Sequence, residues 1–422
     1  PQFVPAPKQI PYMDIICVAE ASALKLQYGQ RVKEAEELRQ NVMKTLQRAP
    51  KIRNNLNRNQ RQALRELRSD KNIRIYPFDK GNGFVRIDAK TAIEKEIHEM
   101  PSSDVCKIDP TPSIVLKVQR VLRLLKKQGK LSKSEYAKLY PPDAVAPSMY
   151  GTIKAHKPEK NFPMRMIVST LHTASYTLAM YLTQLIQPTL NKNKIRIKNT
   201  ESFVSEAKLW EIDSMEIQVS FDVQNLYPSI PISKSIKVVM QLLLNDKEST
   251  ARSKLTNADI EKLLELCLST NYYRWGEEIR IANNNSGPIG LSLMVVMAEA
   301  YLQNLEEKAL LEAANNNVIV KSYRRYVDDS HARFTSIQEA EKFKVILNRQ
   351  DPNIIYTMEM ESEQGQLNFL DVTIINSRLG HYLFKIYRKP AITNVQIKPN
   401  SCVDPRVAKA TFLGFLSRAE KL

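Results

Sequence analysis

Cysteine is scarce in this 422-residue chain, and the four present do not cluster. Cys17, Cys106, Cys267 and Cys402 form no C-x-x-C pair, which argues against a zinc site or a disulfide framework and suits a reducing intracellular compartment. The five histidines are equally scattered. No apolar run is long enough to span a membrane, and no signal-peptide pattern opens the chain, so no membrane partner is expected. Internal repeats and low-complexity segments are absent too. Acids are outnumbered, 45 against 62 Lys and Arg, and the net charge of +17 suits a polyanionic partner, of which nucleic acid is the commonest. A solvated basic surface, a ribosome-associated protein or a membrane-surface protein is left open by charge alone. The chain begins with Pro1 rather than methionine, as expected of a piece of a longer protein or a processed product.

With 43% hydrophobic and 25% charged residues, the chain has the balance of a folded protein, and its length allows two or three domains. Residues 1–70 read as largely helical and basic, interrupted by Asn54, Asn55, Asn57 and Asn59. Residues 72–88 alternate around a glycine turn as strand–turn–strand. A basic amphipathic helix is expected at Ile114–Gln128, whose cations read first as one solvated face. From Pro141 the prolines at 141, 142, 147, 158 and 163 predict extended chain. An apolar helix follows at about 174–187, then the acid-free tract 191–199. The remainder alternates: strand 215–222, helices 232–245 and 258–269, hairpin 272–282, helix 291–313, hairpin 317–335, helix 336–349, and strands near 354–360, 367–376 and 381–388. Mixed elements with antiparallel hairpins predict an α+β fold rather than a doubly wound parallel sheet.

Two segments carry the chemistry. In 215–232 an apolar strand ends at Asp222, before a turn rich in Pro and Ser. In "YRRYVDDSHARF" (323–334) the adjacent Asp328 and Asp329 interrupt two apolar runs, which places them at the tip of a β-hairpin. Carboxylates crowded at such a turn repel one another, and a divalent cation is the usual remedy. Polymerase phosphoryl transfer uses two Mg²⁺ ions roughly 3.5–4 Å apart, held by few carboxylates because phosphates and water complete the shell. Asp222 and Asp328 are the expected bridging ligands, with Asp329 to the side and the Val223 backbone carbonyl as a further oxygen. Mn²⁺ is the expected substitute ion. A Tyr-x-Asp-Asp string alone has little specificity, since it arises by chance in roughly one protein in 25 of this length. The ordinary reading of an Asp pair is a surface turn. The conjunction with Asp222 and the elements between is what favours catalysis.

At these residues the chain resembles reverse transcriptases, with "FDVQNLYPSIP" at motif A, "GPIGLSLMVVMAEAYLQNLE" (287–306) at motif B and "RYVDDSHARF" at motif C. Among them it is similar to Penelope-like element reverse transcriptases, which are related to telomerase. That resemblance rests on Asp79–Lys80–Gly81, the G-x-x-K-x-H-K-P segment Gly151–Pro158, Arg165–Ser169, Phe369–Val372, Tyr387–Pro390 and the final "LSRAEKL", and it covers about 72–422. It implies a right-hand polymerase fold: a basic helical region over 1–135, fingers and palm over 136–380, and a primer-grip hairpin with the start of a thumb over 381–422. The implied partners are an RNA template, a DNA primer or target, and dNTP, in an intracellular and nuclear setting. Arg165 is placed to meet the incoming triphosphate, with Lys154 as a weaker candidate and Lys157 a candidate for phosphates or template. Tyr227, five residues after Asp222, is placed to exclude the ribose 2′-hydroxyl. Gly290 and Ser292 would let the motif B helix approach the template–nascent base pair, and Tyr326 would pack near the primer end. Tyr387, Arg388 and Lys389 are backbone-contact candidates.

The chain departs from the family pattern at Ile289, Met294, Ser330 and His331, the last two being expected to be exposed, and at Val403 and Asp404, which stand where histidines are expected. No GIY-YIG endonuclease segment is present, as expected of a truncated chain or of a member lacking the nuclease. Three other readings stay open at this point: a degenerate, non-catalytic nucleic-acid-binding copy, a telomerase-like terminal extension enzyme, and an RNA-dependent RNA polymerase.

Overall fold

The computed structural model describes residues 3–268, 271–283, 290–389 and 397–421. It divides into two compact units, Pro1–Arg74 with Thr393–Lys421, and Ile75–Ile392. The expected boundary at 135 falls inside the larger unit, and the C-terminal segment groups with the N-terminal helices.

The smaller unit holds α1 (Tyr12–Tyr28), α2 (Val32–Gln47) and α3 (Arg58–Ser69), with a further helix over Pro405–Lys421. Helices α1 and α2 pack where Ala23 and Ala35 are wholly buried, small enough to let the backbones close, and Arg39 forks onto Glu20 across them. The asparagines that interrupt the helical pattern form a connection and a cap. Asn57 and Gln60 make a reciprocal capping box that starts α3. The Val4 amide donates to Ser401 Oγ and its carbonyl accepts from the Cys402 amide, so both chain segments belong to one unit.

The larger unit starts within β1 (Ile73–Pro77) and continues with β2 (Phe84–Asp88), α4 (Ala89–Glu99), β3 (Ser103–Val105), α5 (Thr111–Lys127) and α6 (Lys133–Leu139). Next come β4 (Ser148–Ile153), β5 (Met164–Ser169), α7 (Tyr176–Leu190) and α8 (Thr200–Ala207). Its centre is β6 (Ile217–Val223), α9 (Leu226–Ser229), α10 (Ile232–Asn245), α11 (Asn257–Leu268), β7 (Tyr272–Trp275), β8 (Glu278–Ala282) and α12 (Ser292–Asn315). The last elements are β9 (Val320–Tyr326), β10 (Asp329–Phe334), α13 (Ile337–Arg349), β11 (Tyr356–Met360), β12 (Gln366–Phe369), β13 (Val372–Asn376) and β14 (Tyr382–Ile386). Helices α4, α6 and α8 and strand β3 were not anticipated. A cap next to polar sequence marks each of the three helices: Asp88 accepts from the amides of Lys90 and Thr91, and Ser132 and Asn199 form capping boxes. The strand expected at 367–376 is instead the hairpin β12–β13. Phe369 pairs with Val372 across a two-residue turn in which Leu370 takes φ +54°, a conformation that leucine gives no hint of in sequence.

The α+β expectation describes the sheets: among the described residues the ladders of the three larger sheets are antiparallel apart from a parallel contact between β4 and β7, with isolated parallel bridges at Phe78–Ile153 and Arg196–Arg325. The sheet that matters for function runs β11-β6-β10-β9. One face, carrying Val219, Phe221, Ala332 and Phe334, packs on α7, α10, α12 and α13 in the main core. The opposite face carries Gln218, Ser220, Asp222, Asp329 and His331 by strand alternation. Part of it is covered by β12–β14 and α8, through Phe203, Phe369 and Tyr382.

That double cover corrects the expectation for Ser330 and His331, both of which are fully buried rather than exposed. Ser330 points to the helix face, and its Oγ lies 3.0 Å from the Tyr323 hydroxyl. His331 points to the other face, 3.2 Å from Gln218 Oε1 and ringed by Phe203, Trp210, Phe369 and Tyr382. Burial, with Arg333 and Arg324 nearby, holds its imidazole down at about 3, so it stays neutral there.

Candidate active site

Strand register brings the sequence-distant carboxylates together. Asp222 is the penultimate residue of β6, Asp329 opens β10, and the two are direct cross-strand partners, which sets their Cβ atoms about 5 Å apart. Asp328 lies in the two-residue turn joining β9 to β10, where Tyr326 pairs with Asp329. The hairpin-tip expectation is met. The Val223 amide donates to the Asp328 carbonyl at 3.3 Å, tying the turn to the end of β6. The turn is strained, because Val327 takes φ +57°, costly for a β-branched side chain. Val223 itself is buried, while Asp222 and Asp328 reach solvent.

The charges at this sheet end are unbalanced. Surrounding protein desolvates Asp222 and raises it above the usual carboxylate range; Asp328 adds to the rise, against Lys80, Lys157 and Lys389. Asp329 is pushed up to about 6 by burial and then by Asp328 and Asp222, with Lys389 and Lys80 opposing. Sequence places Lys80, Lys157 and Lys389 far apart, and the fold brings all three within charge range of Asp222, two of them also of Asp329. Lys80, in the Asp79–Lys80–Gly81 segment, had no role assigned from sequence.

Arg165 on β5 ion-pairs with Asp79, Nη1 to Oδ1 at 2.9 Å. The Asp79 side chain is nearly buried and its Oδ2 has no partner, so Asp79 orients Arg165 from behind and leaves the guanidinium half exposed. Lys154 is lowered by burial and then by Arg165, with Asp79 opposing. Tyr227, on the short α9, is half-buried; burial raises its hydroxyl, Asp328 and Glu299 add to this, and Arg165 opposes. Tyr227 therefore shares an electrostatic neighbourhood with both the carboxylate turn and Arg165.

Gly290 is pressed by backbone. At φ +118°, a Cβ built there would lie 2.2 Å from the Val168 carbonyl oxygen of β5, so that strand, not open space, occupies the position. Ser292 begins α12 with its Oγ buried and without a partner. Tyr326 ends β9 and is exposed, as are Arg388 and Lys389, while the Tyr387 amide donates to the Asp371 carbonyl. Gly287, Pro288 and Ile289 of motif B, and Pro390, lie outside the described residues.

Among the described residues, no three His, Cys, Asp or Glu side chains are grouped so as to hold a metal ion by themselves. The donor set still fits a hard cation that takes the rest of its shell from phosphate and water: carboxylate oxygens at one strand end, raised by burial and mutual repulsion. An expected outcome follows for the metal-free protein. Asp329 has its folded value raised, so between 3.8 and about 6 the folded state binds more protons than the unfolded state. Stability therefore falls as pH rises through that window and stays at the lower level above it. In EDTA at pH 7.5, Asp329→Asn is expected to stabilise the larger unit by about 1–2 kcal/mol after solvent screening, with the gain gone by pH 4. Urea unfolding at the two pH values checks this; a variant less stable than its parent at pH 7.5 would contradict the repulsion.

No family model matches the chain, and no curated protein resembles it in sequence. Solved structures do resemble it in fold. Telomerase from Candida albicans, in complex with a TWJ fragment of telomeric RNA, matches 92% of this chain at TM-score 0.52 and 10% identity. The chain spans 62% of that telomerase's length. Apo telomerase from Candida tropicalis, truncated from its C-terminal domain, matches 91% of this chain and 74% of its own, at TM-score 0.49 and 11% identity. The BmCPV RNA-dependent RNA polymerase at quiescent state matches 63% of this chain and 26% of its own, at TM-score 0.40 and 11% identity. The fold is telomerase-like.

Lys80, Glu306 and Arg325 lie inside the quoted motif segments, but sequence assigned none of them a role. The polar residues around Glu306, among them Gln303, Asn304, Glu307 and Lys308, gave no sign that it would be buried.

Proposed function

We propose that this chain is an RNA-directed DNA polymerase of a Penelope-like retroelement, extending a DNA primer on an RNA or DNA template. The observation that carries the reading is the strand register that sets Asp222 opposite Asp329, with Asp328 in the adjoining turn and Lys80, Lys157 and Lys389 from three distant segments within charge range of Asp222. Such a site suits a triphosphate, a primer end and bound cations. In the reaction the primer 3′-oxygen bonds to the α-phosphorus of the dNTP, the bond to the β-phosphate oxygen breaks, pyrophosphate leaves and the 3′-hydroxyl gives up its proton. Two Mg²⁺ ions would supply nucleophile activation and charge neutralisation there, held by Asp222, Asp328, Asp329 and the Val223 carbonyl. Arg165, oriented by Asp79, and Lys154 would bind the phosphates. Lys157, Tyr326, Tyr387, Arg388 and Lys389 would hold the primer and template backbones, and Ser292 would meet the nascent pair at the start of α12.

Primer extension on an RNA template with dNTPs and Mg²⁺ tests the reading; duplex binding without extension would favour a degenerate copy. Tyr227 is the proposed barrier to the ribose 2′-hydroxyl. Tyr227→Ala is expected to raise ribonucleotide incorporation relative to dNTP by about tenfold or more, the loss of a clash worth over ~1.4 kcal/mol. Unchanged sugar selectivity would place the barrier elsewhere. A terminal-extension activity is the second reading, supported by the telomerase-like fold. It predicts a ladder of repeated additions where the first reading predicts one product ending at the template terminus.

A further inference from the structure

The residues that present the carboxylate turn are held by an ion pair sealed inside the protein. Arg325 on β9 is 1% exposed and Glu306 on α12 is 0% exposed. Arg325 Nε donates to Glu306 Oε2 at 2.7 Å, Nη1 to the Val327 carbonyl at 3.0 Å, and Nη2 to the Glu299 carbonyl at 3.4 Å. The Tyr323 hydroxyl donates to Glu306 Oε1 at 3.0 Å and lies 3.0 Å from Ser330 Oγ. One network therefore grips the chain at Val327 and at Ser330, on either side of Asp328 and Asp329. Within it sits the left-handed Val327, a conformation that persists only where surroundings impose it.

A buried ion pair is a poor way to gain stability, since apolar residues of similar volume often do as well or better. Its value here is geometric. A guanidinium has N–H groups fixed in a plane on three nitrogens and spans a carboxylate, a helix carbonyl and a turn carbonyl at once, whereas lysine's three donors radiate from one nitrogen and do not span these sites.

We propose that Arg325 and Glu306 are positioning residues that clamp the Val327 carbonyl to α12 and so fix the Asp328 carboxylate beside Asp222. The structural part stands alone; its consequence for extension rests on the polymerase reading.

Two variants test it: Arg325→Lys, which keeps the charge, and the double Arg325→Met with Glu306→Leu, which removes both charges at similar volume. Both are measured by thermal unfolding, by amide hydrogen exchange at Val223 and 327–329, and by the Mg²⁺ concentration giving half-maximal primer extension. The Val223 amide is the sharpest reporter because it is bonded to the Asp328 carbonyl. Expected are a cooperative unfolding transition near the parent's for the double variant, turn exchange at least tenfold faster in both, and a half-maximal Mg²⁺ concentration raised at least fivefold. Parent-like exchange in either folded variant overturns the proposal, whatever the extension assay shows. Faster exchange in a protein whose parent extends no primer upholds the clamp and sinks only the polymerase reading.

Discussion

Asp328→Asn is expected to lower primer extension by at least about a thousandfold while the protein stays folded and still binds nucleic acid. The substitution removes a charge at the tip of the β9–β10 turn without changing side-chain shape. A ligand that stabilises transition-state charge by several kcal/mol accounts for a loss of that size at ~1.4 kcal/mol per tenfold. Stability should not fall with activity. Asp328 is a cause of the raised state of both Asp222 and Asp329, so neutralising it relieves repulsion in the metal-free protein. Asp222→Asn should behave alike, since it is the cross-strand partner of Asp329. The measurement is extension rate beside urea unfolding and duplex affinity in the same preparation. Full extension by either variant would sink the metal-ligand assignment; lost extension together with lost folding would make these residues structural.

Gly290→Ala is expected to destabilise the larger unit by about 3 kcal/mol. The methyl group would meet backbone, with the Val168 carbonyl oxygen at 2.2 Å and its carbon at 3.2 Å, and no side chain can swing away. The residue also sits at φ +118°, which L side chains rarely adopt, so strain adds to the clash. Thr170 Oγ1 donates to the Gly290 carbonyl at 3.2 Å, a second tie between the start of α12 and the end of β5. Because Arg165 lies on β5, displacement of that strand should also raise the KM for dNTP. Denaturant unfolding and dNTP titration check the pair of effects. Alanine tolerated within about 0.5 kcal/mol would mean that β5 does not press on Gly290 as described.

The sequence by itself determined where the carboxylates fall in the strands and turns, and much of the element order. Asp222 at a strand end and Asp328–Asp329 at a hairpin tip were legible because both follow from local alternation, the period-2 signal of a strand stopped by carboxylates. Helix α10 begins and ends where its apolar spacing placed it. The Leu370 turn escaped because no residue in it announces a left-handed backbone.

Tertiary structure alone decided what covers each face and which distant residues meet. Alternation says that Ser330 and His331 point to opposite sides of the sheet, but not that both sides are covered. Polar residues beside the carboxylates read as exposed until the core helices are seen to cover Ser330, and α8 with β12–β14 to cover His331. Glu306 and Arg325 belong to segments whose pairing no local pattern encodes, and each looks solvated alone. Lys80, Lys157 and Lys389 likewise come within charge range of Asp222 only after folding. Charge interactions act through space, so they depend on contacts between elements far apart in the chain, and those contacts are what a linear pattern of hydrophobic and polar residues leaves unspecified.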